Sequence, residues 1–294
     1  MPDERRTLET REPADERIEP PSDFVEQANV SDVSVPESFE EEGRQVWRRG
    51  AELLDWHDDY DAVFKENDEG GVWFPGGTLN ASENCLDRHA EERGDACAVV
   101  WEGQAGERQK YSYDELLREV NAVASALRSV GVEEDDVVTL YMPVVPELPI
   151  AMLACARIGA QHVVVFTGYS AEALTERMRE SGSTVLFTCD GYYRRGDAVS
   201  LQNRAETARV SVPWDVTTVV VDRFGSDVRG GDSHAYESLI EEHADEDVEA
   251  VERGSNDELF YIYTSGTTGE PKRVTHTTGG YMSHAVWTSY AVLD

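Results

Sequence analysis

Apolar and polar positions along this chain change their period several times. From residue 96 onward, short continuous apolar runs recur at 96–101, 137–141, 162–166, 184–188, 216–221 and 259–263. Runs of that length, bounded by turn residues, read as buried strands. Between them the spacing becomes helical. Ser112 with Glu115 forms a capping-box pattern ahead of Leu116, Val120, Val123 and Leu127, which places a helix after the first run. Residues 147–158 are apolar nearly all round and stop at Gly159, as in a buried helix with a glycine C-cap. A further helix is predicted over 171–181, with Ser170 as its N-cap. Strands alternating with helices predict an α/β protein with largely parallel sheets and helices on both faces. No internal repeat is visible.

The region before residue 96 follows neither pattern. Residues 1–36 are acidic, carry Pro13, Pro20, Pro21 and Pro36, and have almost no aromatics. Such a segment buries too little apolar surface to offset chain entropy, so a disordered lead-in is expected. Residues 37–95 form an arm in which Trp47, Leu53, Leu54, Trp56 and Tyr60 supply apolar anchors on expected helices. Alone this arm has too little core, and it should lie on the body formed by 96–294.

Composition narrows the partners. The chain has 294 residues, 40% of them hydrophobic, and a formal charge of −33. That excess excludes nucleic acid or anionic lipid as a direct partner, because phosphate contacts need clustered cations. Only Lys65, Lys110 and Lys272 are lysine among 26 basic residues. High acidity with little lysine reads as halophilic, a surface that stays hydrated in concentrated salt; a merely acidic protein is the alternative. Cys85, Cys97, Cys155 and Cys189 are scattered, with neither C-x-x-C nor histidines at ligand spacing. Neither a disulfide framework nor a zinc site is indicated, so no metal ligands are assigned. No apolar stretch approaches the roughly 18 residues of a membrane span, and a cytoplasmic protein is expected.

The candidate chemistry follows the last apolar run. Thr264-Ser265-Gly266-Thr267-Thr268-Gly269-Glu270-Pro271-Lys272 is a strand exit rich in glycine and hydroxyls, closed by one lysine. Backbone N–H groups of such a loop converge on phosphate oxygens, with hydroxyls as further donors and the ammonium as counter-charge. Neither G-x-x-x-x-G-K-[ST] nor G-x-G-x-x-G occurs. The competing reading is a flexible turn into the next element. A lysine in an arginine-dominated chain favours the phosphate reading, since a compact flexible charge suits a mobile triphosphate. His276 and His284 follow the loop without an acid or nucleophile at telling spacing and read as structural. Residues 73–77 read as a packed turn that anchors the arm.

Residues 263–272 resemble the phosphate-loop signature of the AMP-forming adenylating enzymes, a family of acyl- and aryl-CoA ligases, luciferases and peptide-synthetase adenylation domains. The segments at 73–80, 84–89, 101–103, 142–147, 151–160 and 276–281 are similar to the acetyl-CoA synthetase branch of that family, and the likeness runs from about residue 39 to 294. The resemblance implies an incomplete N-terminal large domain of an adenylate-forming ligase. It implies ATP, Mg²⁺ and CoA as substrates and cofactors: acetate or another short-chain acid attacks the α-phosphate, and CoA thiolate then displaces AMP. By the same resemblance Thr264, Ser265, Gly266, Thr267, Thr268, Gly269 and Lys272 hold the ATP phosphates. Arg194, with Arg195, faces CoA, a solvated basic pair on a turn being the other reading.

The chain also departs from the family pattern. Arg273 stands where the family usually has glycine, Asp197 where it often has a cation, and Gln202 where it often has lysine. If residue 273 needs a left-handed backbone, a side chain there costs about 1–2 kcal/mol; otherwise its guanidinium adds charge near the phosphates. Family members run to more than twice this length. The catalytic residues are therefore expected in an absent C-terminal half, encoded separately or lost, and the isolated chain is expected to be inactive. The alternative is an inactive remnant or a nucleotide-binding regulatory partner. Unpaired sheet edges and uncovered apolar surface are expected near residue 294.

Overall fold

In the computed structural model, residues 20–30, 39–68, 70–226, 232–265 and 271–293 are described, with the backbone alone for 39–43, 265 and 271. The centre is a seven-stranded sheet formed by β1 (Val137–Tyr141), β2 (Gln161–Val164), β3 (Val185–Cys189), β4 (Thr217–Val221), β5 (Ser233–Ala235), β6 (Glu258–Ser265) and β7 (Pro271–Thr277). Its order is 5-4-3-1-2-6-7. Neighbours pair in parallel from β5 across to β6, and only the β6–β7 pair is antiparallel. β1, β3 and β4 are almost wholly buried because both faces are covered.

Helices α1 (Tyr113–Ser129), α2 (Glu147–Arg157), α3 (Ala171–Ser181), α4 (Gln202–Ser211) and α5 (Tyr236–Glu242) supply that cover. α1 packs with α2 and α5, and α3 packs with α4. The chain moves from β1 to β2 in one direction and from β2 to β3 and β4 in the other. Right-handed crossovers therefore place α2 and the α3–α4 pair on opposite faces. Local chemistry starts and stops the helices as expected. Ser112 Oγ accepts from Glu115 N at 3.2 Å while the Glu115 carboxylate accepts from Ser112 N at 2.9 Å. Ser170 Oγ accepts from Ala173 N, and Gly159, at φ 76°, closes α2.

Two expectations change. Residues 96–101 do not join the sheet: Cys97–Glu102 pairs antiparallel with Arg108–Ser112 in a separate hairpin. The connection between these strands is too short for a parallel crossover, which takes a dozen or more residues. Likewise, the helix that opens the arm, Phe39–Ala51, ends before Leu53, and residues 55–63 follow as irregular backbone. Leu54, Trp56 and Tyr60 are anchors, though not on a helix. Within the expected lead-in, Ser22–Gln27 is a short helix without buried residues; residues 1–19 and 31–36 lie outside the described set.

The arm does lie on the body. Ala51, Val63 and the fully buried Phe74 form a cluster with Trp47, Trp56, Tyr60 and Trp73. The Phe39–Ala51 helix packs on α6 (Thr278–Thr288), where a Cβ on Gly50 would collide with the Ser283 carbonyl. Residues 73–77 are the packed turn expected of them, with the Ser255 hydroxyl donating to the Phe74 carbonyl at 2.5 Å. His276 and His284 both enter ring stacks, on Phe260 at 4.6 Å and Trp47 at 5.4 Å. At the chain's end, Tyr290, Val292 and Leu293 are exposed, as is Val274 on β7, the last described strand of the sheet.

Candidate functional site

Open parallel sheets bind ligands outside the carboxyl ends of their strands, where successive connections diverge. Among the loops at that edge are residues 165–170 after β2, the segment after β3, and the loop between β6 and β7. The last is the candidate phosphate loop. It is a hairpin connection rather than a strand-to-helix turn, because β6 and β7 pair over their whole length.

The ladder brings Thr264 directly opposite Lys272, and the Thr264 hydroxyl lies 3.4 Å from the Lys272 carbonyl. Both side chains are exposed. Gly266, Thr267, Thr268 and Gly269 lie outside the described residues, as does the side chain of Ser265. The structure thus places the two ends of the motif together at the carboxyl edge.

Arg273 is described in full. It lies in regular β7, and its φ is not among the positive values, so no left-handed backbone is required there. Its guanidinium sits 4.0 Å from the Tyr261 ring centroid and pairs with Glu258 at the opposite end of β6. The positive charge expected near the phosphates is therefore turned away from the loop.

Arg194 and Arg195 lie on a hairpin of Gly191–Arg194 with Asp197–Ser200. Its turn has Arg195 at φ 54° and Gly196 at φ 91°, the left-handed pair that short hairpins use. Both arginines are exposed. A Cβ on Gly168 would stand 3.9 Å from Arg194 Nη1, so Arg194 borders the loop after β2. Asp197 is the Cα partner of Arg194, and Gln202 is buried at the start of α4. The hairpin hangs from Asp190, a buried carboxylate that accepts the backbone N–H groups of Arg223, Phe224 and Ser226 at 2.9, 3.0 and 3.3 Å.

A cleft of about 390 Å³ opens at the same edge, walled by Trp101, Met142, Leu148, Phe166 and Tyr193. Arg223 lines it too, lying 4.9 Å over the Trp101 ring and paired with Glu107 at 2.7 Å. Aromatic walls with one guanidinium suit a flat ring bearing negative groups. Among the described residues, no group of three or more His, Cys, Asp or Glu side chains is placed to hold a metal ion.

Sequence reasoning passed over two groups. Asp190 is one, because nothing in one dimension shows which backbone N–H groups a carboxylate will meet. Arg177, within the helix expected over 171–181, is the other. The available signal was its spacing, three after Leu174 and beside Met178, on the stripe of α3 that faces the core.

The fold and this edge define the class. The chain belongs to the AMP-binding enzyme family, whose description matches residues 86–293. The preceding residues 37–85 match the description "Acetyl-coenzyme A synthetase N-terminus". Among curated relatives, an acetyl-coenzyme A synthetase of Rubrobacter xylanophilus is 41% identical over 281 residues, covering 94% of this chain and 43% of that protein. One of Shewanella frigidimarina is 44% identical over 291 residues, covering 93% and 44%. The chain thus spans somewhat under half the length of the relatives it matches. The solved structure of acetoacetyl-CoA synthetase from Streptomyces lividans superposes with a TM-score of 0.82 over 91% of this chain and 44% of that one, at 24% identity, which shows a common fold. No described helix is long and apolar enough to cross a membrane.

Proposed function

We propose that this chain is the N-terminal part of an AMP-forming acetate or short-chain acyl-CoA ligase, supplying the ATP phosphate loop and part of the CoA surface. The reaction is ATP plus acetate plus CoA to acetyl-CoA, AMP and pyrophosphate. The observation that carries this reading is the abutment of two family matches, 37–85 and 86–293, in one polypeptide. Lys272 and Thr264, with Ser265, Gly266, Thr267, Thr268 and Gly269, hold the polyphosphate; Arg194 and Arg195 meet CoA, a planar guanidinium taking phosphate oxygens bidentately. Mg²⁺ arrives as the counter-ion of ATP, which usually keeps several waters and binds through substrate phosphates. The chain contributes position and charge rather than a nucleophile. We place the protein in a salt-rich cytoplasm. The organisation we propose is a lead-in over 1–36, the arm over 37–95 and a partial AMP-binding domain over 96–294.

Titration of the chain with Mg·ATP, followed by amide signals of residues 264–272, tests the reading. Those signals shift in the parent chain and about tenfold more ligand is needed in Lys272→Ala, the scale of one charge-assisted contact. Joined to the remaining portion of the Rubrobacter relative, the chain exchanges pyrophosphate into ATP in the presence of acetate. Unmoved signals together with no exchange would refute the assignment. A refolding midpoint that rises between low and molar KCl supports the salt adaptation.

A further inference from the structure

We propose that Arg177 is a positioning residue for the polyphosphate-binding hairpin, acting through a sandwich of its guanidinium between Tyr169 and Tyr263. The inference rests on the hairpin reading above.

Arg177 projects from the core-facing stripe of α3 and is 5% exposed. A cation buried to that degree is costly unless partnered. Among the described residues, no carboxylate forms an ion pair with it. Nη1 donates to the Ala173 carbonyl of its own helix at 2.7 Å, and Nε is buried without a hydrogen-bond partner. Aromatic faces stand where a counter-ion would. The guanidinium carbon lies 4.2 Å from the Tyr169 ring centroid and 5.3 Å from that of Tyr263.

Those two rings belong to the loop after β2 and to the strand that leads into the candidate phosphate loop. Tyr169 is in the loop after β2, and its carbonyl accepts from the Tyr141 hydroxyl at 3.0 Å, which fixes the loop to the end of β1. Tyr263, on β6, directly precedes Thr264, and its ring also meets Tyr261 edge-on at 5.8 Å. Ring contacts fix the face of Tyr263. Arg177 therefore sets where β6 leaves the sheet. Its charge also lies beside Tyr263, next in the chain to Thr264, where low dielectric strengthens the attraction for a polyanion.

The test uses inorganic tripolyphosphate with Mg²⁺ on the 294-residue chain. Affinity is measured by calorimetry across a KCl series, and each variant's fold is followed by its melting curve. Arg177→Met binds about tenfold more weakly, the scale of a desolvated cation–π contact, and the dependence of log affinity on log salt becomes shallower because one charge is gone. Tyr169→Leu, at a half-buried position, weakens binding while keeping the parent salt slope, and Tyr169→Phe restores parent affinity because the ring face remains. If Arg177→Met does not fold, the Tyr169 pair decides: equal binding by the Leu and Phe variants overturns the proposal. Cooperatively melting Arg177→Met with parent affinity, or with weaker binding at an unchanged slope, overturns it as well. Failure of the parent chain to bind tripolyphosphate is a different result and removes the hairpin reading itself.

Discussion

The two edges of the central sheet use their cations differently. At the amino edge, three buried polar side chains gather partners from distant segments. Arg157, at the end of α2, takes both oxygens of Asp87 at 2.8 Å and the Val248 carbonyl at 2.5 Å. Asn80, fully buried, donates to the carbonyls of Ala156, Arg157 and Val251 while its own oxygen caps the helix Ala81–Cys85. Arg253 gathers Glu134, Asp135 and Asp257. At the carboxyl edge the Arg177 guanidinium is buried against two tyrosine rings, and Arg194, Arg195 and Lys272 are exposed. Phe166 and Val144 also face solvent. Satisfied polar groups hold the arm to the body. The exposed cations of the carboxyl edge leave binding capacity free.

Breaking the amino edge should give the largest effect. Arg157→Ala strands the Asp87 carboxylate and the Val248 carbonyl, and costs about 3–5 kcal/mol, read as a lowered urea midpoint at unchanged m-value. Asn80→Ala removes a cap and three donated bonds and costs about 2 kcal/mol in the same assay. Neither change should alter the affinity for Mg·tripolyphosphate while the protein is folded.

A smaller effect comes from the strands that bear the hairpin. His162 on β2 is stacked on Phe260 of β6 at 5.2 Å, and burial alone pushes its imidazole down to about 3. The folded chain then leaves it neutral where the unfolded chain protonates it. Its contribution to stability is complete above about pH 6.5 and falls below that by up to about 1.4 kcal/mol per pH unit until about pH 3. Glu119 and Glu147, both raised by burial, act in the opposite sense as they protonate in the folded state. His162→Phe extends the ring stack and removes the histidine component, so unfolding curves at pH 7 and 5.5 should differ less in the variant than in the parent.

The smallest effect distinguishes Arg273 from Lys272. Because the Arg273 guanidinium turns back onto Tyr261 and Glu258, Arg273→Gly should cost about 0.5–1 kcal/mol and leave tripolyphosphate affinity unchanged in the calorimetric titration. A drop comparable to that of Lys272→Ala would bring Arg273 into the anion-holding set and blur the contrast between the edges.

Much of the fold was legible in one dimension. Val137–Tyr141 and α3 fall at their predicted bounds, and the capping box of α1 is formed, because each is specified by residues within a few positions of one another. β7 was not legible, since its Lys-Arg-Val-Thr stretch carries no apolar run and becomes a strand only by pairing with β6. Nor was the placement of the 96–101 run outside the sheet, which depends on its partner, Arg108–Ser112. At the site, the motif announced Thr264 and Lys272; that they face one another was decided by the ladder.

By itself, the sequence determined the period of each element, the caps, the charge and the motif chemistry, all properties of neighbouring residues. Tertiary structure decided which polar groups found partners. Arg157 and Arg177 are both buried arginines on sheet-covering helices, and nothing within a few residues of either tells them apart. One meets Asp87, 70 positions away in the chain, and the other meets two tyrosine rings. Burial strips water from both guanidiniums alike. What replaces it comes from segments far apart in sequence, and only the packed chain brings them within reach.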